Sequence, residues 1–178
     1  MPHCMDITVE GMESILICYG SPNKNNETMF PIRENTEKIL NEYNYKYILC
    51  GHTHAQEVYE CNGKLLVNAE AVGVALHSKG KARFLILTSN NEKWDYKFVN
   101  MEYDKAQVIN DMEKADLYRL VPYWTKVTEH LIMTGELSHG TVLAKAMDYC
   151  FEEEGDCVWN NVPEKYWQRA VEELMQNK

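Results

Sequence analysis

The 178-residue chain has no apolar run approaching the roughly 18 residues that a membrane-spanning helix needs. It has no basic cluster: 18 Lys and Arg stand against 27 Asp and Glu, a net charge of −9. The acidity is spread evenly, since residues 1–116 carry 12 basic and 17 acidic side chains and residues 117–178 carry 6 and 10. Such a surface disfavours phosphate backbones and anionic lipid, which require clustered Lys and Arg. No nucleic-acid partner and no membrane is therefore expected. There is no Cys-x-x-Cys, which argues against a zinc ribbon or a redox motif of that type. Internal repeats, low-complexity tracts, a phosphate-cradling glycine loop and a nucleophile elbow are likewise missing. The six cysteines, at 4, 18, 50, 61, 150 and 157, follow no secretory leader pattern. A reduced, cytoplasmic compartment is the expectation, with Cys18 and Cys50 read as small buried hydrophobes inside apolar strand runs.

What is present centres on Tyr47-Ile48-Leu49-Cys50-Gly51-His52-Thr53-His54. An apolar run of strand type stops at a glycine, and two histidines follow with one residue between them. Gly51 is expected to allow a sharp turn and close approach by a ligand. In extended chain, imidazoles at i and i+2 point the same way and can reach one metal or two adjacent metals. The alternative is a surface loop with two solvated histidines.

In chain order, Met5–Val9 and Ser14–Cys18 read as a hairpin about Gly11, with residues 1–4 disordered or a remnant of a start. Residues 21–26 are loop by composition. Glu34–Tyr45 is a helix with Ile39, Leu40 and Tyr43 on one face and Asn44 as a left-handed stop. Residues 56–68 form a hairpin across Asn62-Gly63, a pair suited to a type I′ turn. Ala82–Thr88 and Lys93–Val99 make another hairpin across Ser89-Asn90-Asn91-Glu92, with Trp94, Tyr96 and Phe98 on one face.

After Met101 the periodicity turns helical. Asp104 is expected to cap a helix running to Lys114. Leu117, Leu120, Val121, Trp124, Val127 and Leu131 follow at helical spacing, ended by Thr134-Gly135. Ser138 caps a helix with the stripe Val142, Leu143, Ala146, Met147 and Cys150. Asn161 and Pro163 open a last one with Tyr166, Ala170, Val171 and Leu174 inward. Glu152-Glu153-Glu154 reads as a solvated helix end. Asp148 and Glu152 at i and i+4 merely repel. His77, His130 and His139 read as solvated or hydrogen-bonded side chains rather than ligands.

Taken together, three stretches resemble the calcineurin-like metallophosphoesterases. Gly51-His52-Thr53-His54 is similar to their last motif, Gly-His-x-His. Ile15 to Pro22 resembles the strand carrying their preceding motif, a His-Gly often followed by Ser-Pro. Val67-Asn68-Ala69-Glu70-Ala71-Val72-Gly73 resembles the Asn-Pro-Gly-Ser-Val-Gly segment that follows. The resemblance covers roughly residues 5 to 103. It departs at Tyr19, which stands where that family has a metal-binding histidine, and at Glu70 and Ala71, which replace Gly-Ser. Within that stretch the motifs Asp-x-His, Gly-Asp and Gly-Asn-His, which carry the other ligands and the catalytic histidine, are not found.

The resemblance implies an α/β (α+β) fold: a mixed or mostly antiparallel sheet, half of an α/β/β/α sandwich, over residues 1–103. A helical extension over 104–178 follows it. It implies His52 and His54 as metal ligands, with Tyr19 a substituted metal position read as a packing residue, since an unperturbed phenol keeps its proton near neutral pH. No catalytic residue is assigned. A divalent ion (Mn, Zn, Fe or Mg) is expected at most weakly. Three functions compete: a truncated phosphoesterase inactive alone, a non-catalytic protein-binding scaffold, and one half of a split enzyme completed by another chain. Strands 14–18, 47–50 and 82–87 are nearly continuous apolar runs, which implies burial on both faces. Helix 34–45 can cover one sheet face and nothing obvious covers the other, so a homo-oligomer or a partner chain over that face is expected.

Overall fold

The computed structural model describes residues 3–90 and 93–176. Of the positions read above, Met1, Pro2, Asn91 and Glu92 lie outside the described residues. The chain divides into two compact units: Met1–Ala75 with Ala82–Met101, and Leu76–Lys81 with Glu102–Lys178.

The first unit is built on a mixed five-stranded sheet. Its strands are β1 (Cys4–Ile7), β2 (Ile15–Cys18), β3 (Tyr47–Cys50), β4 (Glu57–Cys61) and β5 (Lys64–Asn68), in the spatial order β1-β2-β3-β5-β4. The inner pairs β2–β3 and β3–β5 are parallel and the outer pairs antiparallel. Helix α1 (Glu34–Glu42) lies in the connection between β2 and β3, as a parallel pair requires. Period-two alternation sends Leu16, Cys18, Ile48, Cys50 and Leu66 to one face, where they pack with Met29, Ile39 and Leu40. Ile15, Leu49 and Val67 go to the other face. The turn between β4 and β5 has Asn62 at φ 53° and Gly63 at φ 75°, both left-handed as a type I′ turn demands.

Three expectations are corrected. Cys4 belongs to β1, and His3 Nε2 lies 2.8 Å from the Pro22 carbonyl, so the start of the described chain is held rather than disordered. Helix α1 stops at Glu42, without a left-handed residue: Tyr43 is already extended (φ −100°, ψ 131°), because the chain must straighten at once to enter β3. Its last carbonyls are met instead by Lys64, whose ammonium donates to Leu40 O and Tyr43 O, each at 2.5 Å. The second sheet face also has a cover. Strands β6 (Ala82–Asn90) and β7 (Lys93–Met101) form a two-stranded sheet whose Leu85, Leu87, Trp94 and Phe98 pack against Ile15, Leu49 and Val67. Being half of a two-layer arrangement, β6 is buried on one face only, and Ile86 on its outer face is exposed.

The second unit is helical: α2 (Lys105–Lys114), α3 (Leu117–Leu120), α4 (Pro122–Thr134), α5 (His139–Glu154), a single 3-10 turn (Trp159–Asn161) and α6 (Glu164–Gln176). Asp104 Oδ1 accepts from the Gln107 amide at 2.9 Å and Ser138 Oγ from the Thr141 amide at 3.1 Å, which are N-terminal caps as expected. Gly135 closes α4 in the left-handed region at φ 74°. The stripe from Leu117 to Leu131 is not one helix. Pro122 cannot donate to the preceding turn, so it starts a new helix and breaks the run at Val121. Of that stripe Val127 and Leu131 are buried while Leu120, Val121 and Trp124 are exposed. The core joins Val127, Val142, Ala146, Tyr149, Cys150, Tyr166, Ala170 and Val171. The acidic end of α5 is engaged rather than merely solvated: Glu153 pairs with Arg169 at 2.8 Å and Glu154 with Lys165 at 3.1 Å. Exposed pairs of this kind contribute about 0–1 kcal/mol each.

Candidate metal site

The carboxyl ends of β2, β3 and β5 bring the candidate residues together. At the end of β2 the Tyr19 carbonyl accepts two amide hydrogens, from Gly51 at 3.0 Å and His52 at 2.9 Å. The His54 amide then donates back to Gly51 O at 3.2 Å, and His54 takes a left-handed φ of 53°. Residues 51–54 are therefore a tight turn, which replaces the expected extended delivery of two parallel imidazoles. Backbone amides left without a ladder partner past the strand end find carbonyls within the turn instead. Gly51 is not in a conformation that needs glycine, and a Cβ there would meet only Glu70 O at 3.6 Å. The glycine that the site needs is Gly20, where a Cβ would lie 2.3 Å from Asn25 O.

Tyr19 sets its ring edge-on to His52, with centroids 5.1 Å apart and planes at 62°. This is aromatic packing. His52 Nδ1 is buried and has no hydrogen-bond partner among the described residues. The His54 imidazole is lowered from its ordinary pKa, chiefly by burial and also by the neighbouring His52, while a hydrogen bond to the Val74 backbone opposes the shift. A neutral imidazole is the form that ligates a metal.

Sequence reasoning missed the framework under this turn. Asn68, fully buried at the end of β5, donates from Nδ2 to Thr53 Oγ1 at 2.6 Å and accepts the Glu70 amide on Oδ1 at 2.9 Å. Glu70 sits at φ 72°, left-handed backbone that glycine takes freely. Its carboxylate receives Arg83 Nη1 on both oxygens at 3.1 Å. The signal available in the sequence was the departure itself, a glutamate where the resembled segment has glycine. Nearby, Glu57 is pushed above the usual carboxylate range by burial, and its Oε2 and Gln56 Nε2 are buried without partners among the described residues. Burial pushes the Cys18 and Cys50 thiols up to about 12, which makes them poor metal ligands.

The donor set is thus two imidazoles, one with an orphaned buried nitrogen. It does not fit a two-metal centre: among the described residues no group of three or more His, Cys, Asp or Glu is placed to hold an ion. Two imidazoles are fewer than the three or four protein ligands usual for zinc. In the second unit His77 Nδ1 lies 3.8 Å from the Glu136 carboxylate, and His139 stacks on Trp124 at 4.0 Å. His130 Nε2 is buried without a partner among the described residues.

Solved structures share this fold, two of them over most of this chain. A hypothetical protein from Pyrococcus horikoshii OT3 matches with TM-score 0.61 at 18% identity, over 78% of this chain and 52% of its own. A metallophosphoesterase from Sphaerobacter thermophilus matches with TM-score 0.57 at 18% identity, over 76% of this chain and 58% of its own. The chain spans little more than half the length of either. No protein-family model and no curated protein matches it. At this identity the likeness establishes the fold: the mixed sheet, the two-stranded sheet and the helices are a metallophosphoesterase-like arrangement. Among the described residues no helix is long and apolar enough to cross a membrane.

Proposed function

We propose that this chain derives from the calcineurin-like phosphoesterases and, alone, is not a phosphatase. His52 and His54 hold at most one divalent ion, weakly, and the motifs that would supply the remaining ligands and a catalytic histidine are not found in the stretch that resembles that family. The observation that carries this reading is the donor count, two imidazoles with Tyr19 packed beside them in place of a third. Metal-assisted phosphoryl transfer depends on ions that polarise the phosphate and lower the pKa of a bound water. Two ligands do not secure such an ion. With p-nitrophenyl phosphate and bis-p-nitrophenyl phosphate and added manganese, the expected result is no turnover above buffer. Turnover that disappears in His52→Ala would show the site to be complete.

A second reading, that another chain completes the fold, has its own support. A half-open cavity of about 550 Å³ in the first unit is lined by apolar residues of both sheets, among them Ile17, Leu49, Phe84 and Leu87, with Tyr19 and the Glu70–Arg83 pair at its wall. Monomers rarely leave large apolar patches to water. A second copy or a partner chain over this opening would make the protein a scaffold or half of a split enzyme. Size exclusion with light scattering is expected to show a species larger than the 20.7 kDa chain. A clean monomer at about tens of micromolar, far above the Kd of a stable interface, together with no binding of hydrophobic dyes, would rule it out.

A further inference from the structure

Two cysteines that the sequence separates by thirteen residues are brought together at the edge of the five-stranded sheet. Cys4 and Cys18 face each other directly in the antiparallel β1–β2 ladder. Opposed residues of such a pair have Cα atoms about 4.5–5.5 Å apart, within the roughly 4.4–6.8 Å that a disulfide spans. Being directly opposed, both side chains leave the sheet on the same face, where Cys18 packs with Leu16 and Cys50 and Cys4 lies against that cluster. Cys4 Sγ also reaches Pro22 O at 3.7 Å, and Cys18 Sγ reaches Gly20 O and Leu49 O, each at 3.6 Å. Cys18 is buried, whereas Cys4 is half-buried. Cys4 is the member of the pair that a small molecule can reach, since Cys18 packs beneath it on the face that α1 covers.

We propose that Cys4 and Cys18 form a dithiol that closes to an intramolecular disulfide by exchange with a small disulfide such as oxidised glutathione. The Cys4 thiolate, the more accessible, attacks one sulfur of the small disulfide. That S–S bond breaks, and the first small thiolate leaves and takes up a proton. The Cys18 thiolate then attacks the Cys4 sulfur of the mixed disulfide and expels the second small thiol. Two protein thiols lose two electrons and two protons, and the small disulfide is reduced to two thiols. The product fastens edge strand β1 to β2, the strand whose terminal Tyr19 carbonyl holds the amides of Gly51 and His52. Cys50 on β3 lies on the same sheet face as Cys18 and is the competing acceptor. It neighbours Cys18 on the parallel side of the sheet and is itself buried, so it offers an incoming disulfide no exposed thiol. Burial raises the Cys4 and Cys18 thiols, so exchange is slow at neutral pH and quickens as pH rises.

The test treats the folded, reduced full chain with oxidised glutathione at pH ~8.5, near the ordinary thiol pKa. The remaining thiols are blocked with N-ethylmaleimide and peptides are mapped without reduction. The expected product is a Cys4–Cys18 linked pair lighter by two hydrogens. In Cys18→Ser the reaction is expected to stop at glutathione-bound Cys4. Should that core variant not fold, Cys4→Ser, at the less buried position, is expected to abolish the cross-link. The same treatment in denaturant is expected to give mixed pairings, so that selectivity is traced to the fold. A persistent Cys4–glutathione adduct in the unsubstituted chain, Cys18 joined to Cys50, or both cysteines fully alkylated would overturn the proposal.

Discussion

Arg83→Met is expected to lower the stability of the first unit by about 3–5 kcal/mol, the usual cost of removing one partner from a buried ion pair. The Glu70 side chain is 0% exposed and the Arg83 side chain 18%, so water cannot replace the lost guanidinium. The pair also explains how a non-glycine residue keeps a φ of 72° there. A left-handed glutamate carries strain of order 1–3 kcal/mol and persists only where its surroundings over-determine it. Here two carboxylate contacts from Arg83 and the amide bond to Asn68 Oδ1 do so. Removing both charges at once, in Glu70→Gly with Arg83→Met, is expected to recover most of the loss, since the buried carboxylate and the strained backbone go together. Urea unfolding followed by circular dichroism reads the difference. An Arg83→Met midpoint equivalent to within about 1 kcal/mol of the parent would contradict the account, because that is the range of an exposed pair. So would a double variant no more stable than the single one.

Leu40→Ala is expected to cost about 2–5 kcal/mol, the lost transfer energy plus the cavity left behind. Leu40 is fully buried on the inner face of α1 and packs in the cluster of Leu16, Cys18, Ile48 and Leu66. Its carbonyl is also one of the two that Lys64 closes, so the helix end cannot shift freely to fill the void. A matched control on the same helix is Lys38→Ala. Lys38 is 71% exposed and its i,i+4 contact with Glu42 is 3.9 Å, so a change of at most about 0.5 kcal/mol is expected. Equal midpoints for the two variants would mean that α1 does not seal the sheet.

The elements legible in the sequence are those whose signals are local. Asn62-Gly63 declares its turn because few other pairs accept two positive φ angles in succession. Asp104 and Ser138 declare helix starts because the hydrogen bonds they make span only three residues. The β3 strand and the stripe Tyr166, Ala170 and Val171 are visible as periodicity of apolar side chains. Placing His52 and His54 at a strand end followed from the same local reading.

What the tertiary structure alone decided are the contacts between residues distant in the chain. Periodicity showed that β6 and β7 pair, but not that Leu85, Leu87, Trp94 and Phe98 cover Ile15, Leu49 and Val67. It could not show that Lys64 ends α1, that Arg83 steadies Glu70 thirteen residues earlier, or that Cys4 opposes Cys18. The turn that carries the histidines belongs here too, because its shape is set by the Tyr19 carbonyl, which β2 supplies from over thirty residues away. Propensity and pattern act over one turn of helix or one strand. The direction of an imidazole or the satisfaction of a buried charge depends on which strand ends the sheet brings side by side.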